Sequence, residues 1–455
     1  MVILRARERD GGRTMIGLSE LATEAYVYGY PLVADLEMVD ACKHKGFGTL
    51  PPTPFNRFAH STELAGPDAH FVSVNNDTLY SVAQLDLSAG PVRLHVPDTG
   101  GAYYVLQFVD AWTNNFAYVG KRATGTVEGE WLIVPPGWSG SEPDDVRGVI
   151  DAPTTIVSVI GRNVCDGPHD LARVRELQKG FTLHAGDTPG ELPAPDPDVP
   201  EQLRFFEQLR VWMADFPPSA PDQEYQDRFQ PLGLLEEGRS PFVSAGSDLI
   251  RALTEGIAAG RARVETASRT SGSREPGAWL MDPHLFDYNL DHFGVGTLDS
   301  SLWRAPDRTA SYLWRAVAAR VGLWGNHGYE AVYAHTFTDS DNARLTGAHS
   351  YTLRFPEPPP VGAFWSLTMY DAPDYYLVDN PLARHSIGDR TPGLVHDDDG
   401  ALTIVIQKDR PSLPPEAANW LPAPDGEFRP MIRLYMPHDS ILQGDYRLPP
   451  IERRL

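Results

Sequence analysis

The sequence predicts an α+β protein that is mainly β, with two β-sandwich or jelly-roll-like domains joined by a helical middle. Three observations lead to this prediction. Short apolar runs of strand character, separated by glycine and proline, fill residues 71–160 and return from residue 348. Residues 201–270 show the apolar spacing of helices instead. The 41 prolines and 40 glycines favour many turns and short strands over long helices.

The chain length predicts several domains, because 455 residues exceed one ordinary hydrophobic core. The proline- and acid-rich segment 185–200 (AGDTPGELPAPDPDVP) is typical of a linker. We therefore expect a flexible tail over 1–15, an N-terminal β-sandwich domain with leading helices over 16–185, a linker and helical middle over 186–306, and a helix plus C-terminal β-sandwich domain over 307–455.

Residues 19–44 are predicted to be helical. Ser19 suits an N-cap, and apolar residues follow at helical spacing. Pro31 is predicted to end the first helix and to open a second one, because proline is tolerated at the first helical position.

The first β region is predicted from alternation. Val92, Leu94 and Val96 alternate with polar residues, which is the period of a half-buried strand. Residues 103–109, 131–134 and 154–160 are further strand-like runs, and glycine- and proline-rich turns separate them.

The rest of the chain is predicted in the same way. Residues 168–183, 201–270 and 307–334 have helical periodicity. Residues 351–355, 363–370, 402–406 and 431–435 are predicted strands of the second β domain.

The composition excludes several classes of function. The formal net charge of −22 disfavours nucleic acids and anionic membranes as partners, because phosphates attract basic surfaces. No apolar run reaches the roughly 18 residues of a membrane helix. Residues 1–13 are charged and have no signal-peptide core, so a cytoplasmic location is expected. Cys42 and Cys165 cannot form a disulfide framework, and we expect two reduced thiols.

Motifs for cofactors and metals are missing from the sequence. It has neither a G-x-x-x-x-G-K-[ST] loop nor a G-x-G-x-x-G after a strand, so no nucleotide cofactor is expected. It has neither H-E-x-x-H nor C-x-x-C, so no zinc site is expected. Asp339 and Asp341 favour a solvated turn over a calcium loop, and the spacing of His284 and Asp287 gives only a weak metal signal.

The leading candidate for chemistry is Asn75-Asn76-Asp77-Thr78, a polar string inside apolar β-forming sequence. Asp77 can serve as a general acid or base, with Asn76 and Tyr80 as its catalytic neighbours and Asn75 as a substrate-binding amide. The same string is also an ideal turn, because these side chains hydrogen-bond their own backbone. Both interpretations stay open at this point.

A second set of residues is predicted to bind substrate: Trp112, Asn114, Asn115, Arg122, Trp365, Tyr370 and Arg384. The aromatic rings can stack on a ring or sugar, and the arginines can hold a carboxylate. Core packing and structural salt bridges are the alternatives. We expect Asn76, Asp77, Tyr80, Trp112 and Asn115 to converge on one concavity, because loops at one end of a sandwich cluster in space.

The chain resembles a known pair of domains that occur together in bacterial proteins, the domains of unknown function 1254 (N-terminal) and 1214 (C-terminal). The first resemblance rests on NNDTLYSVAQLDLSAGP, VPDTGGAYYVLQFVDAWTNNFAYVGKRATGT and VIGRNVCDGPHDL. The second rests on GAFWSLTMYD, DNPLARHSIGDRTPGL, DGALTIVIQKDRP, ANWLPAP and IRLYMP. Together they cover about residues 20–185 and 310–452. The resemblance implies two jelly-roll-like sandwiches joined by helices, and only by analogy a glycosidase-like activity.

The sequence leads to one functional hypothesis and two rivals. The hypothesis is a cofactor-independent enzyme, a hydrolase or lyase of a small polar or glycosylated compound that works by carboxylate acid–base chemistry. One rival is a non-catalytic jelly-roll module that binds carbohydrate or another ligand. The other is an isomerase or cyclase of a metabolic pathway. The expected partner is a small-molecule substrate, and a homo-oligomer stays open.

Overall fold

The structure is a computed structural model that describes residues 17–69, 73–186, 190–270 and 277–454. The predicted tail 1–15 lies outside these residues. The helices are α1 (Leu18–His44), α2 (Leu171–Gln178), α3 (Arg204–Asp215), α4 (Ala220–Gln226), α5 (Ser247–Thr270), α6 (Arg308–Gly322), α7 (Pro414–Ala418) and α8 (Asp439–Leu442).

The strands fall into two groups along the chain. The first group is β1 (Arg57–His60), β2 (Thr78–Asp86), β3 (Val92–Val96), β4 (Tyr104–Asp110), β5 (Asn115–Gly120), β6 (Gly129–Val134), β7 (Val149–Asp151), β8 (Ile156–Val164) and β9 (Thr182–Ala185). The second group is β10 (Leu280–Met281), β11 (Ala331–His335), β12 (Tyr351–Phe355), β13 (Val361–Asp371), β14 (Ser386–Gly388), β15 (Leu402–Gln407), β16 (Trp420–Pro422), β17 (Phe428–Pro437) and β18 (Glu452–Arg453).

Each group forms a sandwich of two sheets. In the N-terminal one, a sheet of order β1-β2-β8-β4-β5 faces a sheet of order β7-β6-β3-β9. In the C-terminal one, a sheet of order β10-β11-β17-β13-β14 faces a sheet of order β16-β15-β12-β18. The named strands pair antiparallel except β6–β7 and β15–β16, which are short parallel pairs. The predicted α+β fold class is confirmed: the structure combines several antiparallel sheets with helices, at 25% strand and 28% helix.

Both sandwich cores follow from the alternation of apolar residues along the strands. In the N-terminal core, Leu94, Phe108 and Val159 are buried between the two sheets. In the C-terminal core, Trp365 and Leu434 take the equivalent inner positions. Each five-stranded sheet therefore has a second face that lies outside its own sandwich core and can pack against other elements.

Helix α1 organises the helical layer. It is apolar on most of its circumference, which is typical of a helix surrounded by other elements. Helices α3, α5 and α6 pack around it. Gly256 and Gly260 of α5 allow close approach, because a Cβ at either position would lie within 2.5 Å of Ala22 or Tyr26 on α1.

Three predicted elements are corrected. Pro31 lies inside a single continuous helix, α1, instead of separating two helices, because buried packing on all sides outweighs the hydrogen bond that proline cannot donate. The predicted helix 168–183 ends at Gln178, and Thr182–Ala185 joins β3 as an edge strand. The predicted helix 307–334 ends at Gly322, because residues 331–335 pair with β17. In both cases distant strand pairing overrides local periodicity.

The two cysteines are free, as the sequence predicts, and both are buried. Among the helices of the described ranges, none is long and apolar enough to cross a lipid bilayer. The domain boundaries given above stay a prediction.

Candidate functional site

The outer faces of the two five-stranded sheets meet, and polar side chains are buried where they do. Tyr103, which directly precedes β4, packs its ring 5.6 Å from Phe364 and 5.5 Å from Tyr435 of the other domain. On β17, Arg433 is paired in register with Tyr333 of β11 and Ser366 of β13. We call the polar residues of this interface, most of them buried, the interdomain cluster: Asp77, Tyr80, Arg162, Tyr333, Ser366, Tyr370, Arg429, Arg433 and Tyr435.

The Asn-Asn-Asp-Thr string forms the turn that leads into β2. The side-chain oxygen of Asn75 accepts a hydrogen bond from the backbone N–H of Asp77 at 2.6 Å, which is an Asx turn. The same amide donates to Thr78 Oγ1 at 3.2 Å and to Tyr435 Oη at 2.8 Å. The string therefore serves as a turn and also contacts the second domain.

Asp77 lies at the centre of this contact. Its side chain is 3% exposed, and its Oδ2 accepts a 2.5 Å hydrogen bond from Ser366 Oγ. Oδ1 accepts no hydrogen bond from the residues that the structure describes. One carboxylate oxygen is thus held by the second domain, while the other has no donor among the described residues.

Tyr435 is a protonated phenol beside this carboxylate. Burial, and then the negative charge of Asp77, raise the pKa of Tyr435 well above its usual value. The amide of Asn75 donates to Tyr435 Oη, so this oxygen acts as an acceptor in that bond. None of the described residues accepts the phenol hydrogen.

Arg433 joins the two domains through neutral acceptors. Its Nη1 donates to Thr368 Oγ1 at 2.9 Å, and its Nη2 donates to Ser73 O at 2.8 Å and to Tyr370 Oη at 2.7 Å. Burial acts to lower its pKa, but Tyr370, Tyr435 and the carboxylate of Asp77 raise it overall. Arg433 is therefore charged although it is 3% exposed.

Arg162 of β8 is the second cation of the cluster, and it is 6% exposed. It donates to Gln107 Oε1 at 2.8 Å and to Trp324 O at 2.8 Å. Its guanidinium lies 5.6 Å from the ring centroid of Tyr80. Burial opposes its charge, but Tyr80 and Tyr333 are among the neighbours that raise its pKa overall.

The edge of the cluster is less buried than its centre. Tyr80, Tyr333, His335 and Tyr375 are partly exposed, whereas Asp77, Arg433 and Tyr435 are buried. The cluster therefore has partly exposed aromatic side chains around a buried, charged centre.

Three predicted substrate-binding residues lie elsewhere, and the expected convergence of Trp112 and Asn115 with Asp77 is wrong. Strands β2 and β4 both pair antiparallel with β8 and so run in the same direction. Asp77 precedes β2, whereas Trp112 and Asn114 follow the end of β4 and Asn115 begins β5. They therefore lie at opposite ends of the sheet.

These residues serve the helical side of the domain. Trp112 is 1% exposed and donates from Nε1 to Phe216 O at 2.7 Å. Asn114 donates to Asp110 Oδ2 at 2.9 Å. Asn115 accepts from Gln107 at 2.6 Å and is linked to Arg162 through that residue.

The remaining predicted residues fall into two groups, those at the interdomain contact and those with structural contacts elsewhere. Tyr370 joins the cluster, where its hydroxyl donates to Val74 O at 2.6 Å. Trp365 points into the C-terminal core, Arg122 pairs with Glu330, and Arg384 donates to the carbonyls of residues 418 and 420. Asn76 bridges domains by donating to Ala65 O and accepting from Ser386 Oγ. Arg122, Trp365 and Arg384 have structural contacts outside the cluster, because strand alternation and local pairing direct them elsewhere.

Sequence reasoning missed Arg162, Tyr333, Ser366, Arg429, Arg433 and Tyr435. One signal was present: Arg162 and Arg433 interrupt strand sequences that are otherwise apolar, VIGRNV and MIRLYM. A charge within a buried strand needs a partner or a function.

The weak metal signals correspond to other contacts. His284 Nδ1 lies 2.6 Å from Asp287 Oδ2, and Asp339 Oδ1 accepts from the backbone of Asp341 and Ala343. Across the described ranges, no three or more histidine, cysteine or acidic side chains are grouped so that they would hold a metal ion.

Comparison with known proteins confirms the predicted pair of domains. The family model described as "Protein of unknown function (DUF1254)" matches residues 55–185, and that described as "Protein of unknown function (DUF1214)" matches residues 330–439. Both matched regions contribute to the interdomain cluster.

A solved structure resembles nearly the whole chain. The VPA0106 protein from Vibrio parahaemolyticus is 25% identical, with a TM-score of 0.72 over 96% of this chain and 100% of that one. An uncharacterized protein from Burkholderia cenocepacia is 12% identical, with a TM-score of 0.44 over 96% of this chain and 93% of that one. No curated protein matches the sequence.

Proposed function

We propose that the protein is an enzyme, a hydrolase or lyase that acts on a small polar compound by acid–base chemistry of its own side chains, and that the reaction takes place at the interdomain cluster. The observation that carries the proposal is the setting of Asp77. It is a buried carboxylate with one oxygen held by Ser366 and the other without a protein donor among the described residues. The cytoplasmic location expected from the sequence stays a prediction.

The cluster contains the groups that such a reaction needs. Asp77 Oδ1 would accept a proton, from water in a hydrolysis or from carbon in an elimination. Tyr435, whose phenol is kept protonated, would donate a proton or a hydrogen bond to the oxygen that develops charge. Ser366 would hold the carboxylate in one orientation, and Asn75 would do the same for Tyr435.

A non-catalytic binding protein is the second candidate. The observation that favours it is the depth of the acid–base groups, because Asp77 is 3% exposed and Tyr435 is 0% exposed. In that case the partly exposed Tyr80 and Tyr333 would supply the contact surface, and Asp77 would maintain the domain interface.

One variant pair separates the two candidates. Asp77→Asn keeps the shape of the side chain and removes its capacity to take a proton. The matched control is Asp86→Asn, because Asp86 lies at the other end of β2 and is also buried, at 4% exposed. Wild type and both variants are incubated with glycosides, esters and hydroxy acids, and products are measured by mass spectrometry.

The enzyme proposal expects turnover by the wild type, a loss of about 10²–10⁴-fold in Asp77→Asn, and little change in Asp86→Asn. Equal turnover by the wild type and Asp77→Asn would remove Asp77 from the mechanism. Saturable binding of a panel compound without conversion by the wild type would favour the binding protein.

A further inference from the structure

The interdomain cluster contains a third arginine whose hydrogen bonds are incomplete. Arg429 of β17 is 7% exposed, and its Nε is buried without a hydrogen-bond partner among the described residues. Its one hydrogen bond to a described residue goes from Nη2 to Ser73 Oγ. The guanidinium stacks on Tyr375, 3.9 Å from the ring centroid. A guanidinium has five N–H donors, so most of those of Arg429 have no acceptor among the described residues.

The two other buried arginines of the described ranges have carboxylate partners, Arg210 with Glu207 and Arg315 with Asp222. The partly exposed Arg122 likewise pairs with Glu330. Arg162, Arg429 and Arg433 form no such ion pair within 4.0 Å with a residue in the part of the chain that the structure describes.

The cluster therefore carries an excess of positive charge. The cluster as defined contains three arginines and one carboxylate, that of Asp77, so its formal charge is 3 − 1 = +2. Burial lowers the pKa of Arg429 to about 10, so it is still charged at neutral pH. Burial, and then the charge of Arg429, lower the pKa of the adjacent His335 to about 4, so that ring is neutral. The excess is local, since the whole chain is acidic.

We infer that the compound bound at this site carries a carboxylate, and that Arg429 is its main contact. A buried cation without a counter-ion is costly, and an anionic ligand would remove that cost. The free Nε and the planar guanidinium suit a carboxylate, which arginine binds through parallel hydrogen bonds. Arginine also pairs with phosphate, so inorganic phosphate is the competing anion in the test.

The position of Arg429 links this contact to Asp77. Arg429 is paired in register with Tyr370, whose hydroxyl accepts from Arg433, and Arg433 is paired with Ser366. Ser366 in turn donates to Asp77. This inference rests on the proposed function in placing substrate at the cluster, and it adds the substrate class: small carboxylic acids, bound with the carboxylate at Arg429 and the rest of the molecule towards Asp77.

The test is calorimetric titration of the whole protein at low ionic strength. The probes are succinate and phenylacetate, with phenylacetamide as the uncharged isostere and inorganic phosphate as the other anion, each at up to about 10 mM, above a millimolar dissociation constant. The variants are Arg429→Gln and, as matched control, Arg384→Gln. Arg384 is an arginine of the same domain that also lacks a carboxylate partner within the described residues.

We expect at least one carboxylate to bind, phenylacetamide to bind far more weakly, Arg429→Gln to weaken carboxylate binding about 10–100-fold, and Arg384→Gln to leave it unchanged. The inference is overturned if neither carboxylate binds, if the amide binds as well as the acid, if phosphate alone binds, or if Arg429→Gln binds like the wild type.

A second measurement excludes simple misfolding. Arg429→Met removes the charge and keeps the volume, so without ligand its melting temperature should equal or exceed that of the wild type, and carboxylates should no longer raise it. A lower melting temperature that carboxylates still raise would make Arg429 structural.

The outcome for the substrate class is separable from the outcome for catalysis. If carboxylates still bind to Asp77→Asn and neither the wild type nor any variant converts a compound, the carboxylate site at Arg429 is supported and the proposed enzymatic activity is contradicted. Turnover that Arg429→Gln leaves intact supports the enzyme and contradicts the anion site.

Discussion

Asp77 and Ser366 lie 289 residues apart and share a 2.5 Å hydrogen bond across the interface between the two sandwiches. Asp77 belongs to the turn before β2 of one domain. Ser366 lies on β13, on the outer face of the five-stranded sheet of the other domain. The interface thus holds the carboxylate that we propose as the acid–base group.

Replacing Ser366 by alanine removes a donor from a buried carboxylate. We expect Ser366→Ala to lower the free energy of unfolding by about 1.5–3 kcal/mol, the usual contribution of a hydrogen bond to a charged group. Ser158→Ala is the matched control, because Ser158 is equally buried but donates to a neutral acceptor, Gln84 Oε1, at 2.6 Å. Ser158→Ala should lower the free energy of unfolding by about 0.5–1.5 kcal/mol. Urea denaturation measures both, and a smaller loss for Ser366→Ala would mean that the bond does not stabilise the interface.

Replacing Trp112 by phenylalanine should affect stability and not the site. The change leaves the buried carbonyl of Phe216 without its donor, which costs about 1–3 kcal/mol. Carboxylate binding should be unchanged, because Trp112 lies at the opposite end of the sheet from Asp77. Denaturation and calorimetry are the measurements. A tenfold change in affinity without a loss of stability would return Trp112 to the binding site.

His327 should make the fold sensitive to acid. Tyr118 Oη and Tyr329 Oη lie 3.0 and 2.9 Å from its Nδ1, which accepts from phenols only when unprotonated. Burial, and then the charge of Arg122, lower its pKa from 6.5 to about 3. The unfolded chain therefore binds this proton at a higher pH than the folded one. Its contribution to stability is complete above pH 6.5 and is lost as the pH falls towards 3.

The measurement is the free energy of unfolding between pH 7 and pH 4. His327→Gln should be less stable than the wild type at neutral pH. As the pH falls, however, its free energy of unfolding should decrease less steeply, by up to about 1.4 kcal/mol per pH unit, because the proton that His327 takes up on unfolding is missing. His60 and His335, whose pKa values are also lowered by burial, to about 4, keep part of the dependence. The exposed His438→Gln is the control. Parallel pH profiles of wild type and His327→Gln would contradict the prediction.

Adding a methyl group at Gly256 should weaken the helical layer. The new Cβ would lie 2.4 Å from the Cβ of Ala22 on α1. Overpacking costs about 1–3 kcal/mol, against a gain of about 1 kcal/mol in helix propensity. Gly322→Ala is the control, because it ends α6 and its nearest contact would be 3.5 Å. We expect thermal unfolding to shift down for Gly256→Ala alone. A higher melting temperature for both Gly256→Ala and Gly322→Ala would show that α1 can move away from the added methyl group.

The sequence by itself determined the fold class, the pair of domains and most strands. Alternation in 92–96 and the turn chemistry around Asn75 depend on residues close in the chain, so local rules apply to them. The same local rules failed at 182–185 and 331–335, which are strands because β3 and β17 are beside them.

The candidate site was decided by the tertiary structure. Asp77 and Tyr80 could be singled out as polar residues in apolar sequence, but Ser366, Arg429, Arg433 and Tyr435 come from a strand pair nearly 300 residues or more away. Strand alternation also directed Trp365 inwards and Ser366 outwards, although they are neighbours in the chain. Which outer face meets which turn depends on how two sandwiches pack, and no short-range pattern encodes that packing, because its contacts join residues that are distant in the sequence.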